Sequence, residues 1–304
     1  MKPYVSIIIP TRNRAQLLKT SLKSVQAQTY KNYEVLVVDD CSTDGTLDVV
    51  KNYQKQGMDI VYVKHLSPRG GAAARNTAIK RSSGSMTAFL DDDDLWLPEK
   101  LEKQVKLLTD SRSETAAVYT GLRFCGESDN IIKDVLPEIR GNIFERLLEK
   151  NYIGTLSSVL LRKEALFEVG GFDESLPSKQ DLDLYLRISQ KYEFDYIKEI
   201  LVIYRKHHQG RISDNIHSKI EGHHKIYNKY YASFKKNRRG HSFYLMNYGR
   251  KLLEFNLIKE ARKNFFKAFL IYPANLETLP YFTLLSLGEK NYKRLKSLRP
   301  GKNP

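Results

Sequence analysis

Through its first 110 residues the chain alternates short, almost wholly apolar runs with stretches whose apolar positions recur at helical spacing. Residues 5–9 (VSIII), 33–38 (YEVLVV), 59–64 and 86–90 (MTAFL) read as strands. They are rich in β-branched and large apolar side chains and poor in polar atoms. Pro10 closes the first of them. Between them, 15–29 places Leu17, Leu18, Ser21, Leu22 and Val25 along one helix face. Residues 46–56 form a second helix, and Gly70-Gly71 opens a third over 72–81. A fourth, 98–109, starts from Pro98 near the favoured first position. Strand and helix in alternation predict parallel βαβ units, and near-continuous apolar strands predict a sheet covered on both faces. The fold class expected is α/β, with a Rossmann-like, mostly parallel sheet. Past Ala116 the pattern loosens: 116–124, 157–161 and 200–204 read as strands, 143–150 and 179–191 as helices. From Asp214 onward the chain is helical, rich in Tyr and Lys, and punctuated by Gly240 and Pro273.

Charge divides the chain at the same place. Residues 1–200 carry 28 Lys+Arg against 29 Asp+Glu, whereas 201–304 carry 22 against 6, so the net +15 lies in the C-terminal third. Such a segment suits an anionic membrane surface, an acidic polymer or nucleic acid. Two cysteines, Cys41 and Cys125, lack metal-ligand spacing and imply neither a disulfide framework nor a zinc site. No signal-peptide core follows Met1, and no run of about 20 uncharged apolar residues exists. The nearest approach, 268–288, is interrupted by Pro273, Asn275, Glu277 and Pro280. A cytoplasmic protein is expected, peripheral at the inner face of the cell membrane if the basic region engages it.

Candidate chemistry starts at Asp91–Asp94, four adjacent carboxylates at a strand end. They repel one another unless a positive group sits among them, and magnesium or manganese is the natural candidate. Ligands of open α/β sheets bind beyond the carboxyl ends of strands. Three loops gather there: 10–14, 39–44 and 91–94. Their acids, with Arg12, Arg14 and Arg75, make a nucleotide-diphosphate pocket. The chain lacks GxxxxGK[ST] and has no GxGxxG after its first strand, which excludes a P-loop NTPase and a dinucleotide oxidoreductase. Asp181 lies in the first turn of its helix, where the dipole favours a carboxylate. His207 and His208 follow a basic strand end and are candidates for phosphate or metal contact.

The ordered motifs VSIIIPTRNR, VLVVDDCSTDGT, GGAAARNTAI, AFLDDDDLWLPEKL, GGFDES, KQDLDLYLR and YRKHH resemble the inverting family 2 glycosyltransferases of GT-A fold. The resemblance covers 4–213. It implies a nucleotide-sugar donor (a UDP-sugar above all), a divalent metal (Mn2+ or Mg2+), and transfer of one sugar to an acceptor hydroxyl of a glycan or lipid-linked saccharide. By position, Pro10, Thr11 and Arg12 would lie at the nucleobase and Asp40 would accept its hydrogen bond. Asp91 and Asp92 would lie at the ribose, with Arg75 a cation of the same pocket. Asp93 would bind the metal, His207 would stand near the metal and diphosphate, and Asp181 would be the catalytic base. The family's Glu-Asp is Gln180-Asp181 here, and the Gln-x-x-Arg-Trp of processive synthases is absent, which favours single-sugar transfer over polymerisation. The expected division is a catalytic domain over 1–213 and a basic helical extension over 214–304. In the extension, Ala261…Phe265…Ala268…Pro273 resembles one tetratricopeptide-type hairpin. Lys235-Lys236 and Arg238-Arg239 with neighbouring aromatics suit an interfacial helix. No nucleic-acid module is present. The competing expectation is a non-catalytic nucleotide- or glycan-binding protein, or a scaffold for a membrane complex.

Overall fold

The structure, a computed structural model, describes residues 3–126, 129–205 and 215–281. The apolar runs become β1 (Val5–Thr11), β2 (Tyr33–Asp39), β3 (Ile60–Lys64) and β4 (Met86–Phe89). The periodic stretches become α1 (Ala15–Gln26), α2 (Thr46–Lys55) and α3 (Gly71–Arg81). Pairs β1–β2, β2–β3 and β1–β4 are parallel, in the order β3-β2-β1-β4. The winding therefore reverses between β1 and β4, and the crevice beyond their carboxyl ends is where such sheets bind ligands. Ile7, Ile8 and Ile9 of β1, with Val35 to Val38 of β2, are fully buried, so this half of the sheet is covered on both faces.

Pro10 was expected to end β1, yet the strand runs through it to Thr11. Pairing with β4 stops at Ile8–Phe89, while pairing with β2 continues to Thr11–Asp39. The Leu90 amide donates to Ile8 O, and two residues on, Pro10 faces that same side, where no ladder continues. A missing N–H there costs nothing.

Beyond β4 the sheet is mixed. A short β5 (Leu95–Trp96) leads to α4 (Lys100–Asp110), then β6 (Thr115–Cys125), β7 (Ile131–Val135), α5 (Phe144–Leu147) and β8 (Val159–Arg162). After these come α6 (Lys163–Glu168), α7 (Gln180–Ser189) and β9 (Glu193–Arg205). Strand β8 lies antiparallel between β4 and β6, β9 runs parallel to β6, and β5 closes the far edge against β9. Trp96 fixes this junction: its Nε1 donates to Ser157 O at 2.8 Å, and the fully buried Lys100 Nζ lies 3.9 Å from its ring centroid. Burial holds the Lys100 pKa well below the ordinary lysine value, and Gln104 Oε1 accepts from Nζ at 2.6 Å.

Two compact units are formed, Met1–Phe144 with Tyr152–Ser218, and Glu145–Asn151 with Lys219–Pro304. The second holds α8 (Ile216–Lys229, from Lys219), α9 (Tyr231–Lys236), α10 (Arg238–Glu254) and α11 (Ile258–Ile271). Helices α10 and α11 pack around Leu245, Leu252, Leu253, Ala261 and Phe265. Gly249 sits on the Phe265 ring, where a Cβ would come within 2.9 Å, so only glycine permits this approach. The boundary read at 213–214 leaves out the inserted segment Glu145–Asn151. Within the second unit Glu149 pairs with Arg239 at 2.9 Å, and Asn247 Nδ2 donates to Glu149 O at 3.1 Å. Among the described residues no helix is long and apolar enough to cross a membrane.

Candidate active site

A cleft of about 390 Å³ opens at the carboxyl ends of β1, β2 and β4. Pro10, Thr11, Arg12 and Arg14 line it from the first loop and Asp40 from the second. Gly70, Gly71, Ala74 and Arg75 come from the start of α3, Asp91, Asp92 and Asp93 from the acidic turn, and Tyr204 from β9. The cleft thus gathers Pro10, Thr11, Arg12, Asp40, Arg75 and the first three carboxylates, all of them expected site residues. His207 lies outside the described residues.

The carboxylates of the acidic turn take separate environments. Asp91 accepts from Arg75 Nη2 at 2.6 Å, and the Arg75 guanidinium stands 5.6 Å from the Phe172 ring centroid. Asp92 accepts from Thr11 Oγ1 at 2.8 Å and Arg14 Nη1 at 2.9 Å. Arg14 also reaches Asp93 at 3.5 Å. Burial pushes the Asp92 carboxyl up to about 6, with Arg14 opposing and Asp93 adding to the rise. Burial works against the Arg14 cation too, but Asp92 and Asp93 outweigh it and raise its pKa.

Asp94 does not join the other three carboxylates at the cleft. It is fully buried and turned into the fold, where Ser157 Oγ donates to it at 2.6 Å. Removing one partner of a buried hydrogen bond leaves the other unsatisfied and costs about 1–3 kcal/mol. Asp94→Ala is therefore expected to cost about 1–3 kcal/mol of stability, read as a lowered denaturation midpoint, whereas a solvated fourth acid would leave the midpoint unchanged.

Asp40 is held by three donors: His65 Nδ1 and the Arg69 amide on Oδ1, and the Gly70 amide on Oδ2, each at 2.8 Å. Burial raises its pKa, but these hydrogen bonds together outweigh it and keep the carboxyl below the ordinary value. The same His65 contacts Thr77 Oγ1 through Nε2 at 3.0 Å, tying the end of β3, Asp40 and α3 together. Sequence reasoning missed His65; its one signal was a lone histidine just after a strand. His65→Ala should lower stability by about 1.5–3 kcal/mol, the usual cost of losing a buried hydrogen bond to a charged partner. A denaturant titration checks this, and an unchanged midpoint would leave the His65 contacts without weight.

Lys179 adopts a left-handed φ of 60°, turning the chain into α7 so that Asp181 falls in its first turn. The residue keeps partial exposure, yet burial of its carboxyl raises the pKa. The Leu182 amide and Lys179 oppose the rise, Asp91 adds to it and Arg75 opposes it. Asp181 thus lies within electrostatic reach of the Arg75–Asp91 pair. One turn on, the fully buried Tyr185 has its pKa raised well above the usual range by burial, then by Asp181 and Asp91.

Hard oxygen donors suit magnesium or manganese. Asp93 keeps 11% of its side chain exposed at the cleft, beside an Asp92 whose charge is incompletely compensated. A divalent cation would relieve that excess, so these residues fit one. Among the described residues no three His, Cys, Asp or Glu converge on a point.

Residues 6–172 match the sequence profile described as Glycosyl transferase family 2. The chain belongs to this family. An uncharacterized glycosyltransferase of Methanocaldococcus jannaschii is 31% identical over 208 residues, 67% of this chain and 71% of that protein. The putative teichuronic acid biosynthesis glycosyltransferase TuaG of Bacillus subtilis is 31% identical over 207 residues, 67% of this chain and 79% of that one. Among solved structures, S. aureus TarS 1-349 in complex with UDP-GlcNAc has a TM-score of 0.61 at 16% identity, over 96% of this chain and 92% of that one. Mannosyltransferase PcManGT from Pyrobaculum calidifontis, with GDP-Man and Mn2+, has a TM-score of 0.63 at 19% identity, over 99% and 89%. The fold is the GT-A fold expected of a family 2 glycosyltransferase.

Proposed function

We propose that this glycosyltransferase moves one sugar from a nucleotide-sugar, a UDP-sugar in first place, to a hydroxyl of a glycan or lipid-linked saccharide, with inversion at the anomeric carbon. The acceptor would be met near the inner face of the membrane. One arrangement carries the reading: Asp181 opens the first turn of α7, partly exposed, within electrostatic reach of the Arg75–Asp91 pair that lines the cleft. An acceptor hydroxyl is a weak nucleophile and loses its proton as the new bond forms, so it needs a base within hydrogen-bond reach. Raising the carboxyl's pKa improves it as a proton acceptor at neutral pH.

The other residues take roles their surroundings support. Pro10 and Arg12 border the nucleobase end, with Thr11 beneath. Asp40, immobilised by His65 and two amides, keeps one lone-pair site for a base N–H. Asp91 and Asp92 face the ribose. The first turn of α3 at Gly70-Gly71 directs its positive end, with Arg75, at a diphosphate. Asp93 would hold Mn2+ or Mg2+, which when bound supplies positive charge against the departing nucleoside diphosphate. Donors of this class accompany the related folds, UDP-GlcNAc in TarS and GDP-Man with Mn2+ in PcManGT.

The test is a panel of nucleotide-sugars assayed for binding and slow hydrolysis with Mn2+ or EDTA. Metal-dependent turnover of one UDP-sugar is expected, and a protein that binds no nucleotide would sink the reading.

A further inference from the structure

Helix α11 is apolar on two sides. Its inner side, Ile258, Ala261, Phe265 and Ala268, is buried against the rest of the helical unit. The outer side of a solvated helix should then be polar. Here Phe266 is 47% and Leu270 58% exposed, one turn apart, and Leu276 follows at 66%. Lys259, Arg262 and Lys263 share that exposed side, with Glu260 the only acid of the helix. Lys267 is turned aside, with its Nζ 3.2 Å from Tyr227 Oη.

We propose that this outer face of α11 docks on an anionic lipid bilayer, with Phe266 and Leu270 entering the headgroup boundary and the basic residues meeting lipid phosphates. The inference rests on the reading of a membrane-proximal acceptor and gives it a location. An apolar centre ringed by cations is what an interfacial helix presents. An acidic polymer or nucleic acid would satisfy the cations and leave Leu270 and Leu276 wet. A second copy of the chain would bring like charge against the ring, in a segment of net +16 over 201–304 (22 basic, 6 acidic). An anionic leaflet satisfies both parts. Around Lys235-Lys236 on α9, Phe234 is fully buried and Tyr231, 44% exposed, lies under Lys235 Nζ at 5.3 Å, so that pair offers one part-exposed tyrosine where α11 offers Phe266 and Leu270.

The experiment is co-sedimentation of the full chain with phosphatidylcholine vesicles, with and without phosphatidylglycerol, at low and high salt. Binding to the anionic vesicles should exceed that to neutral ones by about tenfold or more and weaken with salt. Phe266→Ser with Leu270→Ser should lower partitioning about tenfold, and Arg262→Glu with Lys263→Glu at least as much. Lys235→Glu with Lys236→Glu should lose clearly less. UDP affinity, measured on each variant, should stay at the wild-type value and reports intact folding. Absence of sedimentation, equal binding to neutral vesicles, retention on RNA alone, or α11 variants that bind like wild type would each overturn the proposal. Vesicle binding without any nucleotide binding would instead sink the transfer reaction and leave the docking face standing.

Discussion

Asp181→Asn is expected to lower the rate of sugar transfer by about 10³-fold, within the 10²–10⁴ that a positioned base contributes, while UDP affinity changes less than about twofold. Asn keeps the size and much of the hydrogen bonding of the carboxylate but cannot take a proton. The pH dependence follows from the raised pKa. The base acts when ionised, so activity should fall with acid along a limb lying above the ordinary carboxylate range, because burial opposes ionisation. Stability runs the other way. The fold favours neutral Asp181, a contribution fully present below the unfolded carboxylate value near 4 and lost as pH rises through the folded value. Asp181→Asn should therefore be at least as stable as wild type at neutral pH. A variant that keeps its transfer rate would remove Asp181 from the base role.

Asp93→Asn comes next, with an expected loss of about 10²-fold in transfer and loss of any gain in UDP affinity on adding Mn2+. Asp92 supplies an independent readout. Its pKa of about 6 implies that the fold loses stability as pH rises from about 4 through 6, since burial, with Asp93 beside it, opposes its charge. Mn2+ should accordingly raise the denaturation midpoint more at pH 7.5 than at pH 4.5 in wild type, and much less in Asp93→Asn. Equal Mn2+ responses in the two proteins would place the cation elsewhere.

How much of this could be read beforehand depended on where each element sits. The first βαβ units were legible because strands buried on both faces are written as unbroken apolar runs. β7 was not, since all its residues are exposed at an edge. β9 was seen only as 200–204; its earlier half, from Glu193, alternates charged and aromatic residues and follows β6 through register shifts. Asp91–Asp93 and Asp181 were legible as acids at a strand end and a helix start, and the first three of them line the cleft. The inward turn of Asp94 was not, because its partner Ser157 is 63 residues away. The Arg14 clamp on Asp92 and the His65 hold on Asp40 also join distant segments, and local pattern carries no trace of such pairings.

The insertion of Glu145–Asn151 into the helical unit bears on how this protein can be inherited and divided. Leu147 and Leu148 are fully buried, and Gly240 of α10 lies where a Cβ would meet Leu148 at 3.1 Å. Cutting the chain after Ser218 would take Gly240 from Leu148 and Arg239 and Asn247 from Glu149. The helical unit is thus discontinuous in sequence, drawing Glu145–Asn151 from the middle of the chain. The helical part is no detachable cassette: recombination that gains or loses it must also rewrite a short stretch in the middle of the transferase.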